Sequence, residues 1–398
     1  MSGIVLSNSE IIFFLSPLTK SLVLTVSNQK IIIAGGGLAG LLCSIHLTRA
    51  GVPCRVIERH SYPFHRVCGE YISNEVIPYL KSLGVYPADL KPSSISKLQL
   101  TSVNGKSASL PLDLGGFGIS RYQFDHYLFQ KAKDLGVEFR LDTEVEKILF
   151  LNNQFNVHTS AETFESGLVI GSFGKRSKLD VQLNRSFIQK RSPYVGVKYH
   201  IKLKDFPNDL IALHNFKDGY CGISRVEDDL VNLCYLTHRN NIKANGNIPA
   251  TEEAVLFQNP FLKKIFKDAT FLFDKPETIN EISFETKVPV DSHILMAGDA
   301  AGMITPLCGN GMALAIHSAK ILSEHIIHYT KNKNYTRAQL EADYTSVWTQ
   351  LFARRLWAGR HIQRLFGNVW TSDLAVNLAR YTPPVASFLM KKTHGKPF

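Results

Sequence analysis

The sequence lacks the marks of several large protein classes. None of its six cysteines, Cys43, Cys54, Cys68, Cys221, Cys234 and Cys308, forms a C-x-x-C pair, so neither a zinc ribbon nor a redox dithiol is expected. Most lie beside apolar residues, as reduced core thiols do, which favours a cytoplasmic setting over a secreted one. No block of five or six like charges occurs, although the net charge is +11. Charge spread in this way reads as a solvated basic surface, and no nucleic-acid partner is expected. No apolar run approaches the ~18 residues of a membrane span. The stretch Ile11–Leu15 is stopped by Pro17 and has no basic leader. There is no metal-ligand cluster, nucleophile triad, repeat or low-complexity segment.

What is present is a chain of 398 residues, 44% hydrophobic and 20% charged, long enough for two or three domains around a sizeable core. Lys30–Ala34 is a β-branched run that reads as a buried parallel strand. It leads directly into Gly35-Gly36-Gly37-Leu38-Ala39-Gly40, where Gly35, Gly37 and Gly40 meet the pattern G-x-G-x-x-G. Leu38, Leu41, Leu42, Ile45 and Leu47 then recur at helical spacing, and Gly51 supplies a stop. In such a unit the first glycine allows the tight turn, the second lets backbone approach a pyrophosphate, and the third lets helix and strand pack closely. The helix N-terminus, with Leu38 and Ala39 in its first turn, presents free N–H groups to the phosphates. A second strand, Cys54–Ile57, ends in Glu58, roughly 20 residues past the glycines, where an acid can bond a ribose hydroxyl. Together these predict a Rossmann-like dinucleotide site without separating FAD from NAD.

A distant segment decides between them. His293–Ala297 reads as a returning strand that ends in Gly298-Asp299-Ala300-Ala301-Gly302. After Pro306 come Gly309-Asn310-Gly311 and a helical pattern from Met312 to about His328. An acid at a strand's C-terminal edge can bond the ribityl chain of a flavin. A glycine turn at a helix N-terminus can stabilise negative charge on a reduced ring. An NAD dehydrogenase has no use for this second segment, so the expected cofactor is FAD.

Here the chain resembles the large group of FAD-dependent aromatic hydroxylases (monooxygenases), geranylgeranyl reductases and flavin-dependent halogenases. The matching pieces are GGGLAG at Gly35–Gly40, VIER at Val56–Arg59, RVCGEYIS at Arg66–Ser73, SRYQFDHYL at Ser120–Leu128 and GDAAGMITPLCGNGMALAIHSA at Gly298–Ala319. They cover nearly the whole chain from Lys30. The resemblance implies that Glu58 holds the adenosine ribose, with Arg59 and Arg66 also on the cofactor. It implies that Arg121 contacts FAD near its phosphates, that Asp299 holds the ribityl chain, and that Pro306 to Gly311 line the ring. The Cys-Gly step at Cys68 resembles the reductase branch, where it passes beside the flavin.

Departures narrow the reading. Hydroxylases carry an Asp-Gly motif that helps NADPH reduce the flavin. This chain has Gly171-Ser172-Phe173-Gly174-Lys175-Arg176-Ser177, with Phe173 at the acid's place. NADPH or NADH stays a candidate donor beside a separate flavin reductase. The W-x-W-x-I-P stretch of halogenases is missing, and no lysine lies between Gly37 and Leu80.

The expected architecture is α/β: a discontinuous FAD-binding domain (residues 30–75, 116–177 and 286–329), a mostly antiparallel substrate domain (76–115 and 178–285) and a helical C-terminal region (330–398). Residues 1–29 precede the usual first motif, and either an early-assigned start codon or an added edge strand accounts for them. A helix is expected over Gln123–Leu135 and strands over Val137–Leu141, Tyr194–Ile201 and Val231–Leu236, with turns at Asp218-Gly219 and Asp228-Asp229. In the C-terminal region Arg354, Arg355, Arg360 and Arg364 interleave with apolar residues. A packing helix with a solvated basic side is favoured there over a membrane-surface element. Cys68 is the best candidate to stand near the reacting carbon, with His65 second; Tyr220 could face substrate. The function expected is FAD-dependent hydroxylation or double-bond reduction of an apolar small molecule, such as a polyketide, aromatic or isoprenoid. A flavin-binding sensor or carrier without turnover and a membrane-peripheral lipid reductase are the alternatives.

Overall fold

A computed structural model describes residues 30–398 apart from 191, 281, 306, 308, 364, 365, 392 and 393. The N-terminal stretch 1–29, Pro306, Cys308 and Arg364 therefore lie outside the described residues. The first sheet has six strands: β1 (Ile31–Ala34), β2 (Cys54–Ile57), β6 (Glu138–Arg140), β10 (Val169–Gly171), β17 (Val290–Asp291) and β18 (Ile294–Met296). Their spatial order is β17-β18-β10-β1-β2-β6, parallel except for β17. All four residues of β1 are buried, as a strand covered on both faces requires. Helix α1 (Leu38–Arg49) packs beside α3 (Arg121–Asp134) and α8 (Gly311–Lys331). A three-stranded sheet, β7 (Val145–Leu151), β8 (Gln154–Thr159) and β9 (Thr163–Ser166), precedes β10. Helix α3 starts earlier than its apolar pattern suggests, because the Ser120 hydroxyl accepts from the Gln123 amide at 3.1 Å and caps it.

The second sheet has nine strands. They are β3 (Tyr71–Ser73), β4 (Ser93–Thr101), β5 (Ser107–Gly118), β11 (Tyr194–Lys202), β12 (Leu210–Phe216), β13 (Gly219–Arg225), β14 (Val231–His238), β15 (Thr270–Phe271) and β16 (Glu277–Asn280). All pairings are antiparallel except β4 with β12. Asp218, Asp228 and Asp229 take left-handed φ values of 55–59° at the two hairpin turns, a conformation that Asp tolerates. Residues 71–73 and 116–118, placed with the cofactor domain from the sequence, pair with each other in this sheet. The chain crosses between the sheets there, and no composition change marks the crossing.

One face of the second sheet buries Val195, Val197, Tyr199, Ile223 and Leu233 against the segment that carries α5 (Arg239–Asn245), α6 (Ile248–Ala254) and α7 (Pro260–Asp268). The other face carries Gly196, Tyr220, Gly222, Cys234 and Leu236 and borders a cavity. Each face takes alternate residues of a strand. Short helices α2 (Ile77–Ser82) and α4 (Lys178–Gln182) occupy the crossovers.

The C-terminal region is helical as expected: α9 (Arg337–Gln363), α10 (Val369–Tyr381) and α11 (Pro383–Lys391). Its basic side is not wholly solvated, since Arg355 is buried on Glu75 at 2.9 Å. Val376, Ala379 and Ala386 of α10 and α11 pack on Leu100, Ala108 and Leu110 of β4 and β5. The described cysteines, Cys43, Cys54, Cys68, Cys221 and Cys234, are free thiols. Among the described residues, no helix is long and apolar enough to cross a membrane, and no His, Cys, Asp and Glu group could hold a metal ion.

Candidate active site

One cavity of about 660 Å³ runs between the two sheets, within the roughly 300–1,000 Å³ of ligand pockets and at a domain interface where they favour forming. At one end lie Gly35, Gly37, Leu38, Ala39, Glu58, Arg59, Arg121, Gly298, Asp299, Gly309 and Gly311. Nearly all the residues expected on the cofactor thus meet in one place. Gly40 packs instead beneath the loop: a Cβ on it would stand 2.1 Å from the Gly35 carbonyl oxygen. Gly35 has φ +107°, which only glycine adopts readily. Asn310 is buried at the N-terminus of α8.

Two helix N-termini face this end. Neither α1, which follows Gly37, nor α8, which follows Asn310, has a side-chain cap or an acid in its first turn. Their first N–H groups have no partner within the helix, and each end carries partial positive charge. A diphosphate at one and an anionic ring at the other match these ends. Open space lies at the glycines too. A Cβ on Gly37 would meet only the Arg121 guanidinium, at 3.7 Å, and one on Gly69 would meet nothing within 4 Å.

Glu58 accepts from the Gly36 amide at 2.8 Å and the His60 amide at 3.2 Å. Arg66 pairs with Glu58 at 3.3 Å and with Asp125 at 3.2 Å, and Asp125 also takes Arg121. Arg66 and Arg121 are thus held at the cavity by protein acids. His65 lies against Tyr122, Phe273 and His200. Burial, then the nearby Lys198 and His200, lowers its pKa to about 4, which favours the neutral ring. Cys68 borders the cavity.

The segment carrying Cys68 is held in place by the second sheet. The Asn232 amide donates to the Cys68 carbonyl at 3.2 Å, and Lys198 donates to the Arg66 carbonyl at 3.2 Å. Glu70 anchors its end: Lys198 Nζ lies at 2.5 Å, His200 Nε2 at 2.7 Å and the Arg121 amide at 2.8 Å. Glu70 and Lys198 are fully buried. Glu70 also sits at φ +54°, a strained setting that costs about 1–3 kcal/mol and persists only where the surroundings impose it. Burial alone would raise the Glu70 pKa; Lys198 and His200 outweigh it and hold the carboxyl at about 2. Its folded value lies below its unfolded one. The stability it confers is therefore full above the ordinary value of 4.5 and lost as pH falls toward 2. Glu70→Gln is expected to flatten the acid limb of a Tm-against-pH curve; an unchanged slope below pH 4.5 contradicts this.

Sequence reasoning missed Glu70, Lys198 and Asn232 as supporting residues. Lys198 and His200 stand two apart in an otherwise apolar strand, so they share a face, and that signal was available. Their partner Glu70, 128 and 130 residues away, was not.

At its other end the cavity is bounded by Leu98, Leu110 and Leu112 of β4 and β5, Ile211 and Leu213 of β12, and Leu378 of α10. Tyr220 is buried among Leu236, Ile282 and Met303 and also borders this chamber.

A parallel sheet with two such helix ends on a cavity that opens into an aliphatic chamber defines a flavin-dependent oxidoreductase. The chain belongs to the FAD binding domain family, which matches residues 28–337, and FAD is its cofactor. It is 23% identical to a 1H-pyrrole-2-carbonyl-[peptidyl-carrier protein] chlorinase of Pseudomonas fluorescens, over 78% of each chain. It is 23% identical to a digeranylgeranylglycerophospholipid reductase of Methanococcus vannielii, over 81% of this chain and 83% of that one. The crystal structure of a geranylgeranyl bacteriochlorophyll reductase-like protein from Thermoplasma acidophilum shares the fold, with a TM-score of 0.74 at 16% identity over 91% and 95% of the two chains.

Proposed function

We propose that the chain is an FAD-dependent reductase of a carbon–carbon double bond in an apolar, isoprenoid-like molecule. The observation that carries this is the continuity of one cavity, from Gly37 and Asp299 past Cys68 to Leu98, Ile211 and Leu378. Burying methylene groups there gains roughly 0.8 kcal/mol each, so a long aliphatic chain fits better than a polar ring. In this reading the amides of Gly35–Ala39 hold the diphosphate, Glu58 and Arg59 the adenosine side, and Asp299 the ribityl chain. Arg121 faces the phosphates, and Gly309–Gly311 face the ring. FAD, once reduced, would supply the hydride and solvent the proton, while the protein supplies orientation and electrostatics. Cys68 stands where the ring and the substrate meet, and the aliphatic walls exclude water.

The test is anaerobic. Protein reduced with dithionite is mixed with geranylgeraniol, and flavin reoxidation with a product heavier by two hydrogens is expected. Reoxidation that waits for oxygen, with a product heavier by one oxygen, means hydroxylation. Bound flavin that no apolar substrate reoxidises means a carrier. Phe173 predicts that NADPH and NADH bleach the flavin slowly and that a separate flavin reductase speeds it.

The outer face of α10 favours a membrane-peripheral form of this reading. Trp370 is 85% exposed, and Leu374 and Tyr381 are exposed near Arg380. Aromatic side chains with apolar neighbours and a cation suit a bilayer interface. Anionic liposomes are expected to sediment the wild type and release a Trp370→Ser/Leu374→Ser variant. Equal recovery of both in the supernatant ends this form.

A further inference from the structure

Two segments border the cavity: Arg66–Glu70, which carries Cys68, and the turn Gly298–Ala300, which carries Asp299. They belong to different parts of the chain, yet one line of hydrogen bonds joins them. Lys175 Nζ donates to the Val67 carbonyl at 3.3 Å. The carbonyl of Lys175 accepts from Lys287 Nζ at 2.7 Å, and the same Nζ donates to the Asp299 carbonyl at 2.8 Å. Arg185 supports the turn from the same side, through the Ala300 carbonyl at 2.9 Å.

We infer that Lys175 and Lys287 are positioning residues, a strut that sets the spacing between the Cys68 segment and the Asp299 turn and so the seat of the flavin. The inference rests on FAD occupying this gap. Lys287 is only 6% exposed, and its Nζ stands 4.3 Å from the centre of the Phe187 ring. Burial above all, with Arg185 and Lys175 nearby, lowers its pKa to about 8. A methionine would fill similar volume without that cost. The ammonium differs in direction: it has three N–H donors, and two of them hold carbonyls from separate segments. The tie passes through Gly171–Ser177, the stretch that departs at Phe173 from the Asp-Gly pattern of the hydroxylases. In this chain that stretch has a mechanical part to play.

The experiment uses purified FAD-loaded protein and the variants Lys287→Met, Lys175→Met and Cys68→Ser. Four quantities are read: visible circular dichroism of bound FAD, the FAD dissociation constant, Tm, and the rate of Cys68 modification by DTNB. Cys68→Ser identifies the Cys68 phase. Lys287→Met is expected to change the flavin dichroism, weaken FAD by ~10-fold or more, and expose Cys68 to ~10-fold faster modification, as the loss of charge-assisted hydrogen bonds implies. Lys175→Met removes only the Val67 bond, so ~3–10-fold faster modification with FAD affinity within ~3-fold is expected. A Lys287→Met protein with lower Tm but unaltered dichroism, FAD affinity and thiol rate overturns the inference, because a merely structural lysine would give that result. Should Lys287→Met not fold, Lys175→Met decides alone, and an unchanged thiol rate overturns it. A colourless wild type would instead sink the flavin reading, and that result is distinct from unaltered variants.

Discussion

Lys198→Met is expected to destabilise the protein by about 3 kcal/mol, the low end of what removing one partner of a buried ion pair costs. The variant leaves the Glu70 carboxylate fully buried, without its ammonium at 2.5 Å. His200 and the Arg121 amide still bond it, which keeps the loss from the upper end of the range. Adding Glu70→Gln removes the stranded charge, so the double variant is expected to be more stable than Lys198→Met alone. A double-mutant cycle by urea unfolding measures this, and additive losses would mean that the pair is not coupled. FAD content reports a second effect. Lys198 holds the Arg66 carbonyl as well as Glu70, so freeing it is expected to alter the flavin spectrum even in the stabilised double variant.

Gly40→Ala and Gly37→Ala are expected to fail in different ways, although they stand three residues apart in one motif. At Gly40 a Cβ would lie 2.1 Å from the Gly35 carbonyl oxygen and 2.6 Å from the Ser172 hydroxyl. The nearest neighbour is backbone, so α1 must move away from the end of β1. Overpacking of this kind costs about 1–3 kcal/mol or more, and the expected result is a lower Tm together with lost FAD. At Gly37 a Cβ meets only the end of the Arg121 side chain, at 3.7 Å. The fold is expected to keep its stability within about 1 kcal/mol of wild type, while FAD, whose diphosphate needs close backbone approach, binds ~10-fold more weakly or worse. Thermal unfolding of both apoproteins and fluorescence titration with FAD separate the two. Equal Tm losses would contradict the division of labour between these glycines.

The legible parts of the protein were those written in short spans of chain. Ile31–Ala34 with Gly35–Gly40 specifies a strand, a turn and a helix through local sterics, and Gly298-Asp299 followed by Gly309–Gly311 repeats the arrangement. Of the antiparallel strands, β11 and β14 showed as alternation, and two hairpin turns showed as Asp218-Gly219 and Asp228-Asp229. The ends of elements were less legible. Helix α3 begins at Arg121 because Ser120 caps it, which an apolar periodicity does not reveal. Burial on both faces of β11 hid the difference between Val197, which faces a core, and Lys198, which faces Glu70.

The sequence by itself determined the cofactor class and the strand, turn and helix of its glycine motif, because backbone conformation and hydrophobic periodicity act over a few neighbouring residues. Only the tertiary structure decided that β4, β5, β12 and α10 enclose one aliphatic chamber. It alone brought Lys198 to Glu70 and Lys287 to Asp299. Those pairings depend on which faces of distant elements meet, and the cost of burying an unpaired charge makes such pairings obligatory without marking either partner in the chain.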